Sequence, residues 1–208
     1  MNAKKIVTAG LALVMVAGIS VAGTLAYLTS TTGEVKNTFT VGSVVITLDE
    51  AKVDTDGTIV PDADRVTANS YKLMPGHSYT KDPTVHVDSA SEDAYLFVKV
   101  ENGIAAIEDS SNTIAAQMTT NGWTAVAGAD NVYAYREVVN GGDNIPVFGS
   151  FTVSGDVEGT KPDEPVEGTL YLSDYATAEI TVTAYAIQAD GFNSADAAWT
   201  AFATQELE

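Results

Sequence analysis

Tyr95-Leu96-Phe97-Val98-Lys99-Val100-Glu101 is the stretch that decides the fold class. Side chains of an extended strand alternate between two faces. Leu96, Val98 and Val100 therefore share one face, and Tyr95, Phe97, Lys99 and Glu101 share the other. The first set predicts a core, the second a more exposed surface. The same alternation recurs on both sides of this stretch. Phe39–Val41 leads through Gly42 into Val44–Leu48, where Val44, Ile46 and Leu48 fall on one face. Thr84–Asp88 sends Val85 and Val87 inward and His86 outward. Val132–Val139 sets Tyr133 and Tyr135 opposite Arg136, and Val147–Val153 adds another run. Glu179–Gln188 is apolar on both faces (Ile180, Val182 and Ala184 against Tyr185 and Ile187), which predicts a central strand.

Short strands separated by turn signals predict a mainly β chain, an antiparallel jelly-roll-like sandwich with one or two short helices. Asn112 is placed to cap a helix over Thr113–Thr119 that ends at Asn121-Gly122. Ser194 is placed to cap a second over Ala195–Ala203, with Ala195, Trp199 and Phe202 along one side. Gly155–Gly168 is polar, carries two prolines and lacks apolar periodicity, so it reads as a solvated acidic loop inside the domain. No internal repeat or heptad pattern is present. Residues 37–208 thus read as one β-sandwich domain.

The N-terminus has a different character. Met1–Lys5 is basic, Ile6–Ala22 is an apolar run of 17 residues, and Gly23-Thr24-Leu25-Ala26 supplies small residues at a cleavage position. This is the pattern of an export signal over residues 1–26, cut between Ala26 and Tyr27, with an uncleaved membrane anchor as the alternative. Removing it takes away Lys4 and Lys5, so eight basic residues face 28 acidic ones and the charge becomes −20. A surface with that balance repels nucleic acid and anionic membranes, so neither is an expected partner after cleavage. No cysteine occurs in the 208 residues, which excludes disulfides, thiol catalysis and iron–sulfur or zinc-thiolate centres. The last residues, Thr204–Glu208, carry no hydrophobic tail, so covalent wall anchoring is not expected.

Chemistry-bearing motifs are few. The two histidines are His77, in a Pro-Gly-His-Ser turn, and His86, on the outer face of a strand. No His-Glu-x-x-His sequence and no Gly-x-Ser-x-Gly elbow is present, so neither a helical zinc-protease site nor a serine nucleophile is marked. A metal would have to be gathered by folding from His77, His86, Asp54 and Asp56. Asp54-Thr55-Asp56-Gly57 resembles part of a calcium loop but lacks the later ligands, and an Asp-Gly pair between Val53 and Ile59 reads more simply as a hairpin turn. No catalytic residue, metal or cofactor is expected. Tyr95, Phe97, Tyr133 and Tyr135 would form a surface-binding platform if exposed, or packing between sheets if not. Tyr27-Leu28-Thr29-Ser30-Thr31-Thr32 follows the cleavage position and is uncharged and β-prone. Such an end is suited to completing another subunit's sheet, to pairing within its own domain, or to fraying.

A linked set of segments resembles the TasA/camelysin family of exported Gram-positive proteins, which are processed by a dedicated signal peptidase of the SipW type. The segments are the signal ending G-T-L-A-Y-L-T-S, then N-T-F-T-V-G-S-V-V-I-T-L-D-E (Asn37–Glu50), L-M-P-G-H-S-Y-T-K-D-P-T-V (Leu73–Val85), Y-L-F-V-K-V-E (Tyr95–Glu101) and I-T-V-T-A-Y-A-I-Q-A-D-G-F (Ile180–Phe192). The resemblance implies a secreted, cell-surface subunit of biofilm-matrix fibres that inserts its mature N-terminal strand into the next copy. That donor would lie in residues 27–36, carried by Tyr27, Leu28, Thr29, Ser30, Thr31, Thr32 and Val35. The implied partners are further copies of the chain, the signal peptidase and an accessory anchoring protein, with membrane contact only before cleavage. Other members are described as cell-surface metalloendopeptidases; the residue chemistry here favours the fibre.

Overall fold

A computed structural model describes residues 42–205. Nine strands run in order: β1 (Ile46–Asp49), β2 (Ser78–Thr80), β3 (Thr84–Val87), β4 (Ala94–Asn102), β5 (Trp123–Ala125), β6 (Val132–Val139), β7 (Asn144–Pro146), β8 (Ser150–Thr152) and β9 (Ile180–Gln188). Helix α1 (Ile114–Thr120) lies between β4 and β5, and α2 (Ala195–Gln205) follows β9. The strand ladders are antiparallel and form three sheets, ordered β1-β3-β7, β2-β8 and β5-β6-β4-β9. The chain is mainly β, as the alternation predicts.

The sheets share one core. Val85 and Val87 from β3, Tyr79 from β2, Phe151 from β8 and Leu96, Val98 and Val100 from β4 meet in a single apolar cluster. Each such side chain contributes about 1.5–3 kcal/mol on full burial. Tyr71, Tyr79 and Phe151 interlock at one end of it, with Tyr79 stacked on Phe151 at 4.9 Å and Tyr71 edge-on to both.

Four expectations need correction. The second face of β4 is more exposed than the first at Tyr95, Lys99 and Glu101, but not at Phe97, which is completely buried in a smaller cluster with Val126, Val132 and Ala198. Helix α2 lies over that face and sets Trp199 5.1 Å from the Phe97 ring. That cover also explains the apolar second face of β9, where Tyr185 meets Trp199 and Phe202. Among the described residues strand β9 stands at the end of its sheet rather than in the centre that its sequence predicts. The run Val147–Val153 is no single strand. Val147 and Phe148, both fully buried, lie between β7 and β8 and belong to neither strand, and the chain crosses there from the sheet of β3 to the sheet of β2. Gln117 of α1 holds the crossing by accepting from the Gly149 and Ser150 amides and donating to the Ser150 carbonyl.

The acidic loop Gly155–Gly168 is solvated as expected, exposed throughout except at Val157. Val157 and Tyr171 are buried beneath it, and the Tyr171 hydroxyl accepts from the Val166 amide. Helix α1 begins one residue later than its sequence suggests, because Thr113 rather than Asn112 caps it through the Ala116 amide at 3.2 Å. Ser194 caps α2 as expected, accepting from the Ala197 amide.

Replacing Phe97 with Ala should cost about 3–5 kcal/mol of unfolding free energy, the range for a large aromatic removed from a core. Urea denaturation followed by tryptophan fluorescence reads this directly, since Trp199 loses its neighbour. A loss below about 1 kcal/mol would mean that α2 does not cover this face.

Candidate functional site

The feature that departs most from a closed sandwich is a seam between β1 and β9. Each is the edge of its own sheet, and they lie across a common groove. Their directions oppose. Ser43 and Val45, which lead into β1, bond to Glu92 and Ser91, beside the Asp93 carbonyl that receives the Ala189 amide after β9. At the other end, Leu48–Glu50 face Ile180–Val182 across the groove.

Hydrogen-bond parity shows which main-chain groups point into the seam. The Glu179 carbonyl and the Ala189 amide bond toward β4, so Ile180, Val182, Ala184, Ala186 and Gln188 turn their amides and carbonyls outward. None of these groups has a main-chain partner among the described residues. On β1 the Val45 carbonyl bonds toward β3, which turns Ile46 and Leu48 outward, and Glu50 already exchanges both main-chain bonds with Val66. The open edge on β1 is thus short, while that on β9 runs for nine residues.

The side chains repeat the pattern. Ile46 and Leu48 of β1 and Ile180, Val182, Ala184 and Ala186 of β9 pack on the main core yet are only half-buried. A groove of about 1000 Å³ lies at the Leu48–Glu50 and Ile180–Val182 end, lined by apolar groups such as Ile104, Phe151 and Leu172 together with polar ones such as Asn69, Lys81 and Glu179. Among the described residues the other sheet edges are shorter than β9. Strand β5 is a three-residue edge, and β7 is three residues ending in Pro146. Short strands and proline are common ways of blunting an edge. Ile180–Gln188 contains no proline and no charged residue.

Charged groups hold the β1 wall in place. Glu50 is buried; its carboxylate accepts from Lys81 Nζ at 2.6 Å and from Asn69 Nδ2 at 2.9 Å. Arg65 bridges two carboxylates, Asp49 at 2.5 Å and Asp82 at 3.0 Å. His86 Nε2 donates to Asp49 at 2.9 Å, and its Nδ1 meets the Asn144 side-chain oxygen. The sequence alone does not pick out Glu50, Arg65 and Lys81 as a cluster. Their one sequence signal is scarcity, since a chain with ten basic residues against 28 acids spends two of them on one strand.

The candidate metal residues separate into two places. His77 Nε2 donates to the Asp56 carbonyl at 2.9 Å, and its ring lies edge-on to Tyr79. Asp54 and Asp56 both accept from the Thr58 amide, at 3.0 and 2.9 Å, in a turn where Val53 pairs with Ile59. This is the hairpin reading of Asp54–Gly57. Gly57 is required there: its φ is +84°, and a Cβ would lie 2.7 Å from the Tyr79 backbone. His86 sits instead in the Asp49 network, where both ring nitrogens face oxygen acceptors and leave no lone pair for a metal. Among the described residues no three His, Asp or Glu side chains are grouped to hold an ion.

The four aromatic residues that would build a binding platform are packed. Phe97 is buried, Tyr95 lies half-buried beside it, and Tyr133 and Tyr135 pack on the main core with Tyr135 5.3 Å from Trp123. The cleavage position Ala26–Tyr27 and the candidate donor residues Tyr27–Thr32 and Val35 lie outside the described residues. No family model matches the chain, nor does any curated protein or solved structure.

The His86 network gives β1 a dependence on pH. The hydrogen bond to Asn144, followed by that to Asp49, raises the His86 pKa above 6.5 against burial and the nearby Arg65. Burial pushes the Asp49 carboxyl up, but Arg65 and His86 together outweigh it and hold the group below 3.8. A raised histidine contributes stability that is complete below its unfolded pKa and is lost as pH rises through the folded value. A lowered carboxylate contributes above its unfolded pKa and loses that contribution as pH falls through the folded one. The pair is therefore strongest between about pH 4 and about pH 6.5. The urea midpoint of the wild type should fall more than that of His86→Gln between about pH 5.5 and about pH 8. Parallel curves would contradict this.

Proposed function

We propose that this chain is an exported structural subunit that polymerises into extracellular fibres, serving as biofilm matrix, by donating its N-terminal strand to the seam of the next copy. The observation that carries the reading is the edge of β9, uncharged over nine residues and without main-chain partners among the described residues, whose Ile180–Val182 end borders a groove of mixed polarity. A strand added there gains generic affinity from main-chain hydrogen bonds and specificity from alternate side chains that fill the groove. The resemblance to the TasA/camelysin family supports the same reading and supplies the donor, within residues 27–36, and the jelly-roll-like character of the sandwich. Donor and acceptor are different surfaces, so the contact is head-to-tail and extends without closing.

Cleavage after Ala26 is then the trigger. It frees Tyr27 from the apolar run Ile6–Ala22 and gives the donor a free end. A charge of −20 on each processed copy opposes approach, so screening or acid favours assembly.

The processed protein should remain monomeric at low salt and neutral pH. It should form filaments visible by electron microscopy after addition of about 0.5 M salt or a shift to about pH 4. Deleting residues 27–35 should abolish filaments while leaving the far-ultraviolet circular dichroism of the domain intact. A deletion variant that assembles at the wild-type rate by light scattering would rule the mechanism out.

A further inference from the structure

The buried Lys81–Glu50 pair has a third member, Asn69, and the three side chains hold the parts of a covalent reaction. We propose that Lys81 and Asn69 join in an intramolecular isopeptide bond, formed by the folded chain itself with Glu50 as proton carrier and ammonia as the leaving group.

Lys81 is the nucleophile. Its side chain is 11% exposed, and Nζ donates to Glu50 Oε2 at 2.6 Å. The electrophile is the side-chain amide of Asn69. Its Nδ2 donates to the other oxygen of the same carboxylate, Glu50 Oε1, at 2.9 Å. One carboxylate thus touches both the amine that must lose protons and the nitrogen that must gain one, the contacts of a general base that then acts as general acid. The Asn69 carbonyl is polarised from its other side, because Oδ1 accepts from the Val53 amide at 3.0 Å. That donor stands where negative charge develops on Oδ1 during attack. Neighbours fix which way the amide points. Oδ1 meets a donor, while Nδ2 meets two acceptors, Glu50 Oε1 and the Ala51 carbonyl at 2.8 Å.

The surroundings favour the reaction. The Glu50 side chain is only 5% exposed, and Leu48, Tyr71 and Phe151 line the same groove. Poor solvation disfavours the charged forms, so a proton passes from Lys81 to Glu50 more readily than it does in water. The Ala51 amide also bonds to the Asp82 carboxylate at 2.6 Å, which holds the segment of Glu50 against that of Lys81. Such fixed proximity replaces a chance encounter.

Atoms and charge balance. The Lys81 ammonium gives one proton to the Glu50 carboxylate, and the freed lone pair attacks Asn69 Cγ to form the Nζ–Cγ bond. Glu50 relays a proton from the attacking nitrogen to Nδ2, the Cγ–Nδ2 bond breaks, and ammonia leaves through the groove. The new amide nitrogen keeps one hydrogen and Glu50 ends as a neutral acid, so no unpaired charge stays buried. The link joins the segment between β1 and β2 to the residue after β2, closing a loop around Tyr71 and Tyr79. A chain without cysteine has no disulfide to do this.

Mass spectrometry of the purified chain, held folded at neutral pH and then denatured, tests the bond. The wild type should weigh less than its sequence by one ammonia. Trypsin should leave Lys81 uncut and yield Val66–Lys72 joined to Leu73–Lys99 as one branched peptide. Lys81→Arg, which keeps a cation beside Glu50, should retain the full sequence mass, as should Glu50→Gln. A wild type of full mass whose Lys81 is cut by trypsin would overturn the proposal, whether or not the variants fold. Ammonia loss that maps to another asparagine would overturn it equally. A branched peptide that persists in Glu50→Gln would overturn the role of Glu50.

Discussion

Strand β4 is buried along one face and, at Phe97, on the other as well, and the rest of the domain is arranged around that requirement. Leu96, Val98 and Val100 need a core on one side, and Phe97 needs one on the other. The first is met by the sheets of β2 and β3, the second by α2. A strand beside β4 must extend both surfaces, so β9 is apolar in both directions as well. Yet β9 has only one neighbour, and its second edge carries no charge, no proline and no main-chain partner among the described residues. The uncovered seam follows from the way β4 is buried.

An edge of this kind is useful only if its opposite wall keeps its shape. The β1 wall does so through charge. Lys81 neutralises the buried Glu50, and Arg65 ties Asp49 to Asp82 across the segment that carries Val66. Truncating one member of a buried pair typically costs more than the pair contributes, which makes such clusters intolerant of partial change. A pre-formed wall lowers the ordering cost of receiving a strand. Within this wall the charges of Glu50, Lys81, Asp49, Arg65 and Asp82 are satisfied among themselves.

Most strands were legible because alternation is a local property. The run around Leu96, the Val85–Val87 pair and the Val132–Val139 strand all stand where their pattern sets them. The Asp54–Gly57 hairpin and the Ser194 cap were legible for the same reason, since their chemistry is completed within a few residues. The errors share an opposite cause. Phe97 looked exposed because the helix that covers it lies about a hundred positions later in the chain. Glu179–Gln188 looked central because two-sided burial and central position have the same sequence signature. Val147–Val153 looked continuous because a strand that changes sheets keeps its apolar composition while losing its alternation.

The sequence by itself determined the class of the fold, the spans of most elements, the absence of thiol chemistry and an acidic surface that repels its own copies. Those follow from composition and from periods of two and three to four residues, which need no knowledge of neighbours. Only the tertiary structure decided that β9 stands at an edge among the described residues, that its first residues face β1 across a groove, and that Glu50, Lys81, Asp49, Arg65 and His86 gather beside it. Strand neighbours and ion pairs depend on which distant segments meet, and no local pattern encodes that meeting.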